Sequence, residues 1–174
     1  MRWLRRFALL FVALWLMWEV ADRAAALMAL PDGTGAWFVT FAENKTFGLG
    51  PGGNESGLNV VLLTTAGAAR VAKGGAAWLD QRDDNQNFDA WRETPVPYDD
   101  TWLLREGHVA GRLATPSIMA LYLRYGFTID IPENHLMAID KALNAPGSFY
   151  TFDRRGRLVL IVPNTQRAYV GYAG

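Results

Sequence analysis

Asp83, Asn85, Asn87 and Asp89 alternate as Asp-x-Asn-x-Asn-x-Asp, which sets a side-chain oxygen at every second position of a polar stretch. Ca²⁺ is a hard cation that takes oxygen ligands, and the first half of an EF-hand loop supplies them at this spacing. Phe88 stands where such a loop has its turn-making Gly, and Thr94 stands at the position of the bidentate Glu, with Glu93 one residue early. The spacing makes these four residues the candidate metal ligands, with a solvated acidic loop as the competing reading.

His108 and His135 are the only histidines. An acid–base or metal role requires them to converge with carboxylates in one cleft. Ser56, in Gly53-Asn-Glu-Ser-Gly57, lacks the Gly-x-Ser-x-Gly order of a hydrolase elbow, and an apolar strand pattern follows it where a helix belongs. The glycine-rich Gly48–Gly53 run has no Lys-Ser/Thr behind it, so it reads as a loop rather than a phosphate cradle. No residue set meets the tests for a catalytic site. Of seven tryptophans, Trp78, Trp91 and Trp102 lie far from the N-terminus and are candidate interaction residues. Core packing, a protein interface and a sugar platform all use Trp.

The elements that position these residues follow from patterning. Residues Ala36–Phe41 and Leu58–Thr65 read as strands, the second buried by its continuous apolar character. Asp80–Asp100 is a polar loop closed by Pro95 and Pro97, after which Thr101–Arg105, Gly107–Leu113 and Ile118–Tyr125 read as further strands. Pro132 opens a helix over Glu133–Asn144, with Leu136, Ile139, Ala142 and Leu143 at helical spacing, and Ala145-Pro146-Gly147 stops it. Ser148–Asp153 and Arg157–Pro163 flank Arg154-Arg155-Gly156 as a hairpin, and Arg157–Pro163 is apolar on both faces, which places it centrally. Arg167–Tyr172 adds a last strand at an edge.

The chain has 174 residues, 51% of them hydrophobic, which suits one domain with a real core. Lys+Arg and Asp+Glu both number 17, a balance that argues against nucleic-acid binding. The absence of cysteine excludes disulfides, thiolate zinc sites and cysteine nucleophiles. Arg2, Arg5 and Arg6 precede an unbroken apolar run from Phe7 to Trp18. This basic-then-apolar order suits a secretory signal cleaved near Ala24-Ala25-Ala26, or an uncleaved anchor. As an anchor, a helix over Trp3–Leu30 would pair Glu19 with Arg23 and set Trp3, Trp15 and Trp18 near the boundary levels, with Phe7, Leu10 and Leu14 between. Either way the body is exported.

The later part of the chain resembles the small bacterial membrane-anchored proteins named for a Gly-Asp-Tyr-x-x-Leu-x-Tyr motif. The similar stretch comprises Leu123-Arg-Tyr-Gly-Phe127, Ile131-Pro-Glu133, Met137-Ala-Ile-Asp-Lys-Ala-Leu143 and Phe152-Asp-Arg-Arg-Gly-Arg157, with Arg105–Arg112 similar to the preceding strand. Gly35-Ala-Trp-Phe-Val-Thr-Phe41 sits where the naming motif belongs, without its Asp, Leu and final Tyr. The resemblance implies a strand ending in Arg-Tyr-Gly, and placement at a membrane rather than an activity.

The expectation is an α+β protein: an N-terminal transmembrane helix in residues 1–30, then a mostly antiparallel β-sheet domain with one packed helix in residues 31–174. Its expected role is a single-pass membrane-anchored periplasmic accessory or interaction protein, a small subunit of a larger membrane or envelope complex. It would sit in the bacterial inner membrane with its N-terminus cytoplasmic and its C-terminal domain periplasmic. It would have a protein partner, no nucleic acid and no cofactor other than Ca²⁺. The alternatives are an exported metal-dependent hydrolase and an envelope ligand-binding module.

Overall fold

A computed structural model describes residues 2–46, 55–82, 88–97, 115–125, 128–154 and 156–174. In chain order the elements are α1 (Arg2–Met28), β1 (Ala36–Thr46), β2 (Glu55–Leu63), α2 (Thr65–Asp80), β3 (Arg92–Glu93), α3 (Ile118–Tyr125), α4 (Glu133–Asn144), β4 (Phe149–Phe152), β5 (Leu158–Val162) and β6 (Arg167–Ala173). Every strand pairing is antiparallel, in the order β1-β2-β6-β5-β4-β3.

The sheet is covered on both faces. On one, Ile118, Leu121 and Tyr122 of α3 and Ile139, Ala142 and Leu143 of α4 pack with Leu58, Val60, Tyr150, Leu160 and Tyr169. On the other, Ala26, Ala29 and Leu30 at the end of α1 and Ala68, Val71 and Leu79 of α2 pack with Val39, Val61, Leu63, Val159, Ile161 and Val170. Burial on both sides explains why Leu158–Val162 is apolar at every position: successive side chains point to opposite faces, and both faces are dry. Of the two edges, β3 is only two residues long, and β1 carries two register shifts and the charged Glu43 and Lys45, devices that blunt edge-to-edge pairing.

Several expectations are met. The helix spans Glu133–Asn144, with Glu133 in its first turn and Lys141 in its last, each suited to the helix dipole. The β4–β5 hairpin forms with Gly156 at φ 76° and β5 inside the sheet. Asp153 ties the turn together by accepting from the Arg157 backbone N–H at 2.8 Å and from the Arg157 guanidinium.

Others are corrected. Among the described residues no helix is long and apolar enough to cross a membrane, so the expected transmembrane helix is overturned. The apolar run is 12 residues, which rise ~18 Å against a ~30 Å hydrocarbon core. Glu19, Asp22 and Arg23 then follow on the same helix, with Glu19 and Arg23 3.5 Å apart as an ion pair. One packed helix becomes helices on both faces. Thr65–Asp80, unassigned in the sequence reading, is α2, capped by the Thr64 hydroxyl accepting from the Gly67 N–H at 3.1 Å. β6 is central, between β2 and β5, rather than an edge strand. The expected strands Thr101–Arg105 and Gly107–Leu113 lie outside the described residues.

Ile118–Tyr125 is a helix rather than the expected strand, and Leu123, Arg124 and Tyr125 of the family-like stretch therefore end a helix. Ile118, Leu121 and Tyr122 fall at i, i+3 and i+4, a helical stripe that a short apolar segment also presents as strand-like. What decides the matter is its start. Asp140 of α4 accepts from the Ile118 N–H at 2.9 Å and from the Ser117 hydroxyl at 3.0 Å, while the Ser117 oxygen accepts from the Met119 N–H at 3.3 Å. A carboxylate at the positive end of a helix is favourable, and this one comes from another element. Asp140→Ala should therefore cost about 2 kcal/mol in urea unfolding, the value of a cap bonded to a charged group. Asp140→Asn should recover part of that loss.

Candidate functional site

Two features of the described residues are built to meet something else. The first is α1. Its large apolar side chains Trp3, Phe7, Leu9, Leu10, Phe11, Val12, Leu14, Trp15, Leu16, Met17, Trp18 and Val20 are exposed. At 100° per residue this run covers the full circumference of the helix, so no single face is left polar. The helix enters the domain only at its end, where Ala26, Ala29 and Leu30 are buried against β1 and β2. Ala24–Ala26 therefore lies inside a helix whose next turn is part of the core. The anchor residues Trp3, Phe7, Leu10, Leu14, Trp15 and Trp18 thus share one exposed apolar segment.

The second is a hollow of about 330 Å³ beneath the end of α1, lined by Ala25 and Ala26, Asn44 of β1, Glu55 and Asn59 of β2, Arg157, and the last residues of β6. Strand register explains the grouping. Tyr172 pairs with Gly57, and Gly57 with Asn44, in one cross-strand row; Val170 pairs with Asn59 in the next. Gly57 is required here because a Cβ would lie 2.4 Å from the Tyr172 ring. The side chain of Tyr172 occupies the space a β-carbon would need. On the opposite face Tyr122 donates to the Gly57 carbonyl at 3.0 Å, and burial, with Tyr172 as a lesser cause, pushes the Tyr122 hydroxyl far above the usual phenol range.

Four buried polar atoms among the described residues lack a hydrogen-bond partner: Ser56 Oγ, Asn59 Oδ1, Trp91 Nε1 and His135 Nδ1. An unpaired buried polar group is costly and calls for a reason. Of the four residues, Asn59 lines the hollow just described. Two roomier depressions, lined by Met119 with Ile129–Pro132 and by Trp37 with Gln166 and Arg167, contain none of these orphaned groups.

The residues singled out in the sequence are placed as follows. Asp83, Asn85 and Asn87 lie outside the described residues, as do His108, Trp102 and the Gly48–Gly53 run. Asp89 is exposed, its backbone bridging to β4 through the Phe152 carbonyl and the Thr151 hydroxyl. No group of three or more potential metal ligands occurs among the described residues. Ser56 is fully buried, out of reach of a substrate. Trp91 is buried beside Phe88, and Trp78 packs on the same core with the Arg82 guanidinium 5.2 Å from its ring.

His135 packs its ring 5.0 Å from that of Phe41. Desolvation by burial, and secondarily the nearby Arg167 charge, hold its pKa below the ordinary 6.5. The folded state thus prefers neutral His135, and the unfolded chain takes up the proton first as pH falls. Its contribution to stability is full above pH 6.5 and is lost as pH falls from there through the lowered folded value. His135→Gln should flatten the pH dependence of the melting temperature in that window, and an unchanged slope would refute the assignment.

The residues of this hollow that the sequence reading did not single out include Asn44, Asn59, Arg157 and Tyr172. A signal was present: Asn59 is the polar side chain in the otherwise apolar run Leu58-Asn-Val-Val-Leu-Leu63.

No family model, curated protein or solved structure matches this chain.

Proposed function

We propose that this chain is a non-enzymatic accessory protein of the bacterial envelope, whose exported domain is held to a larger membrane complex by the apolar stretch Phe7–Trp18 of α1. The observation that supports this reading is the exposure of that stretch on every side of the helix. A helix apolar all round is normally a buried one, and exposed apolar surface of this extent marks an interaction site. The partner is a membrane protein that seats the helix among its own apolar helices. Arg2, Arg5 and Arg6 ahead of the run suit an anionic membrane surface beside that seat. The resemblance to small membrane-anchored proteins points the same way.

The test is a pull-down of the full-length protein at native expression from membranes in mild detergent, with the intact mass of the recovered chain. A stoichiometric membrane partner recovered with residues 1–30 intact is the expected result. A lone chain, or one beginning near Leu27, overturns the proposal.

A further inference from the structure

We propose that the hollow beneath the end of α1 is a binding site for a small neutral polyhydroxylated molecule, of monosaccharide to disaccharide size. This goes beyond docking by α1 and does not depend on it.

The argument begins with Asn59. It is 6% exposed, and its Oδ1 accepts no hydrogen bond, yet it sits in a strand where every neighbouring position is apolar. A buried amide oxygen left without a donor destabilises the fold, whereas valine at the same place would suit a β-strand better. The hollow it lines gives that cost a purpose: a donor from outside can enter. The volume, about 330 Å³, lies at the small end of ligand pockets.

The chemistry of the walls selects the ligand class. Along β2, Glu55 and Asn59 are four residues apart and share a face, so their Cα atoms stand about 13 Å apart. Between these rows lie Asn44, Tyr172 and Arg157. Acceptors at both ends with amide, phenol and guanidinium groups between call for a ligand that donates and accepts along its length, as a row of hydroxyls does. Charge points the same way. Glu55 and Arg157 are the lining residues with charged side chains, and the Arg157 guanidinium is paired with Asp153. With Glu55 on the wall and the Arg157 guanidinium engaged by Asp153, the hollow disfavours an anion.

The experiment is saturation-transfer NMR on the full-length protein with glucose, N-acetylglucosamine and trehalose, each up to about 20 mM so that a millimolar Kd is read. Glutamate and glycine betaine serve as charged and zwitterionic comparisons. The wild-type protein should bind at least one of the three sugars saturably. Asn59→Val should weaken that binding about tenfold, the value of one buried hydrogen bond, with a melting temperature equal to or above wild type. A raised melting temperature separates loss of the site from loss of the fold. Should Asn59→Val not fold, Arg157→Gln at the rim of the hollow provides the same reading, with weakened sugar binding expected. Absence of saturable binding by all three sugars overturns the proposal. Sugar binding unchanged in the folded variant, or binding of glutamate or betaine alone, overturns it equally.

Discussion

Gly67→Ala should destabilise the protein by about 2–3 kcal/mol or more, although the substitution puts a better helix former into a helix. Propensity alone predicts a gain of about 1 kcal/mol. Geometry opposes it: a Cβ on Gly67 would stand 1.9 Å from the Thr34 carbonyl oxygen and 2.9 Å from the Gly35 Cα. These are backbone atoms of the segment that carries the chain from α1 into β1, and they cannot swing aside as a flexible side chain can. Gly35 is held there by the Thr64 N–H donating to its carbonyl at 2.9 Å, and Thr34 is buried with its hydroxyl donating to Pro31. The first turn of α2 would have to lift off this segment, loosening the buried Ala68 and Val71 behind it. Overpacking of this kind costs about 1–3 kcal/mol and at times more. Urea unfolding of Gly67→Ala beside Ala66→Gly, its exposed neighbour, checks the claim. Ala66→Gly should lose only the propensity difference of about 1 kcal/mol. Equal or greater stability of Gly67→Ala than wild type would refute the docking described.

The double variant Leu10→Glu/Leu14→Glu should release the protein from the proposed membrane partner while leaving the domain folded. Leu10 and Leu14 are both more than half exposed, and they lie one turn apart on α1, away from the core. Seating a leucine in an apolar environment is worth about 2 kcal/mol, so the pair contributes about 4 kcal/mol, or roughly a thousandfold in affinity. Two carboxylates brought into the same seat would cost still more. The measurement is partner recovery in the detergent pull-down, with thermal unfolding of the purified variant as control. The melting temperature should be unchanged, because neither side chain packs on the sheet. Full recovery of partner by the double variant would remove α1 as the docking element.

Much of the sheet could be read from local pattern. Phe149–Phe152 and Leu158–Val162 around a glycine turn form a contact of short range, in which two short apolar runs and a φ-positive glycine suffice. The helix Glu133–Asn144 likewise carries its own start, stripe and stop. Ile118–Tyr125 could not be read this way. Eight residues, all but Arg124 apolar or aromatic, suit either periodicity, and the cap that selects the helix comes from Asp140, 22 residues further on. α2 escaped notice because Thr65–Asp80 is rich in alanine and glycine, small residues that leave only a faint apolar stripe. Its amphipathic character appears once Val71 and Leu79 meet the sheet.

The sequence by itself determined the β-rich core, the hairpin, the Pro-initiated helix, and a basic N-terminus followed by an apolar run, whose expected span of a membrane the structure overturned. These are properties of neighbouring residues, set by period, turn chemistry and length. Only the tertiary structure decided that helices cover both faces, that β6 lies inside the sheet, and that Asn59, Asn44, Tyr172 and Arg157 line one hollow. Each of those facts depends on strand order. Residues more than a hundred positions apart, such as Gly57 and Tyr172, become neighbours only when β6 inserts between β2 and β5. No local pattern of side chains encodes that insertion. It follows from which apolar surfaces remain to be buried once the hairpins have formed.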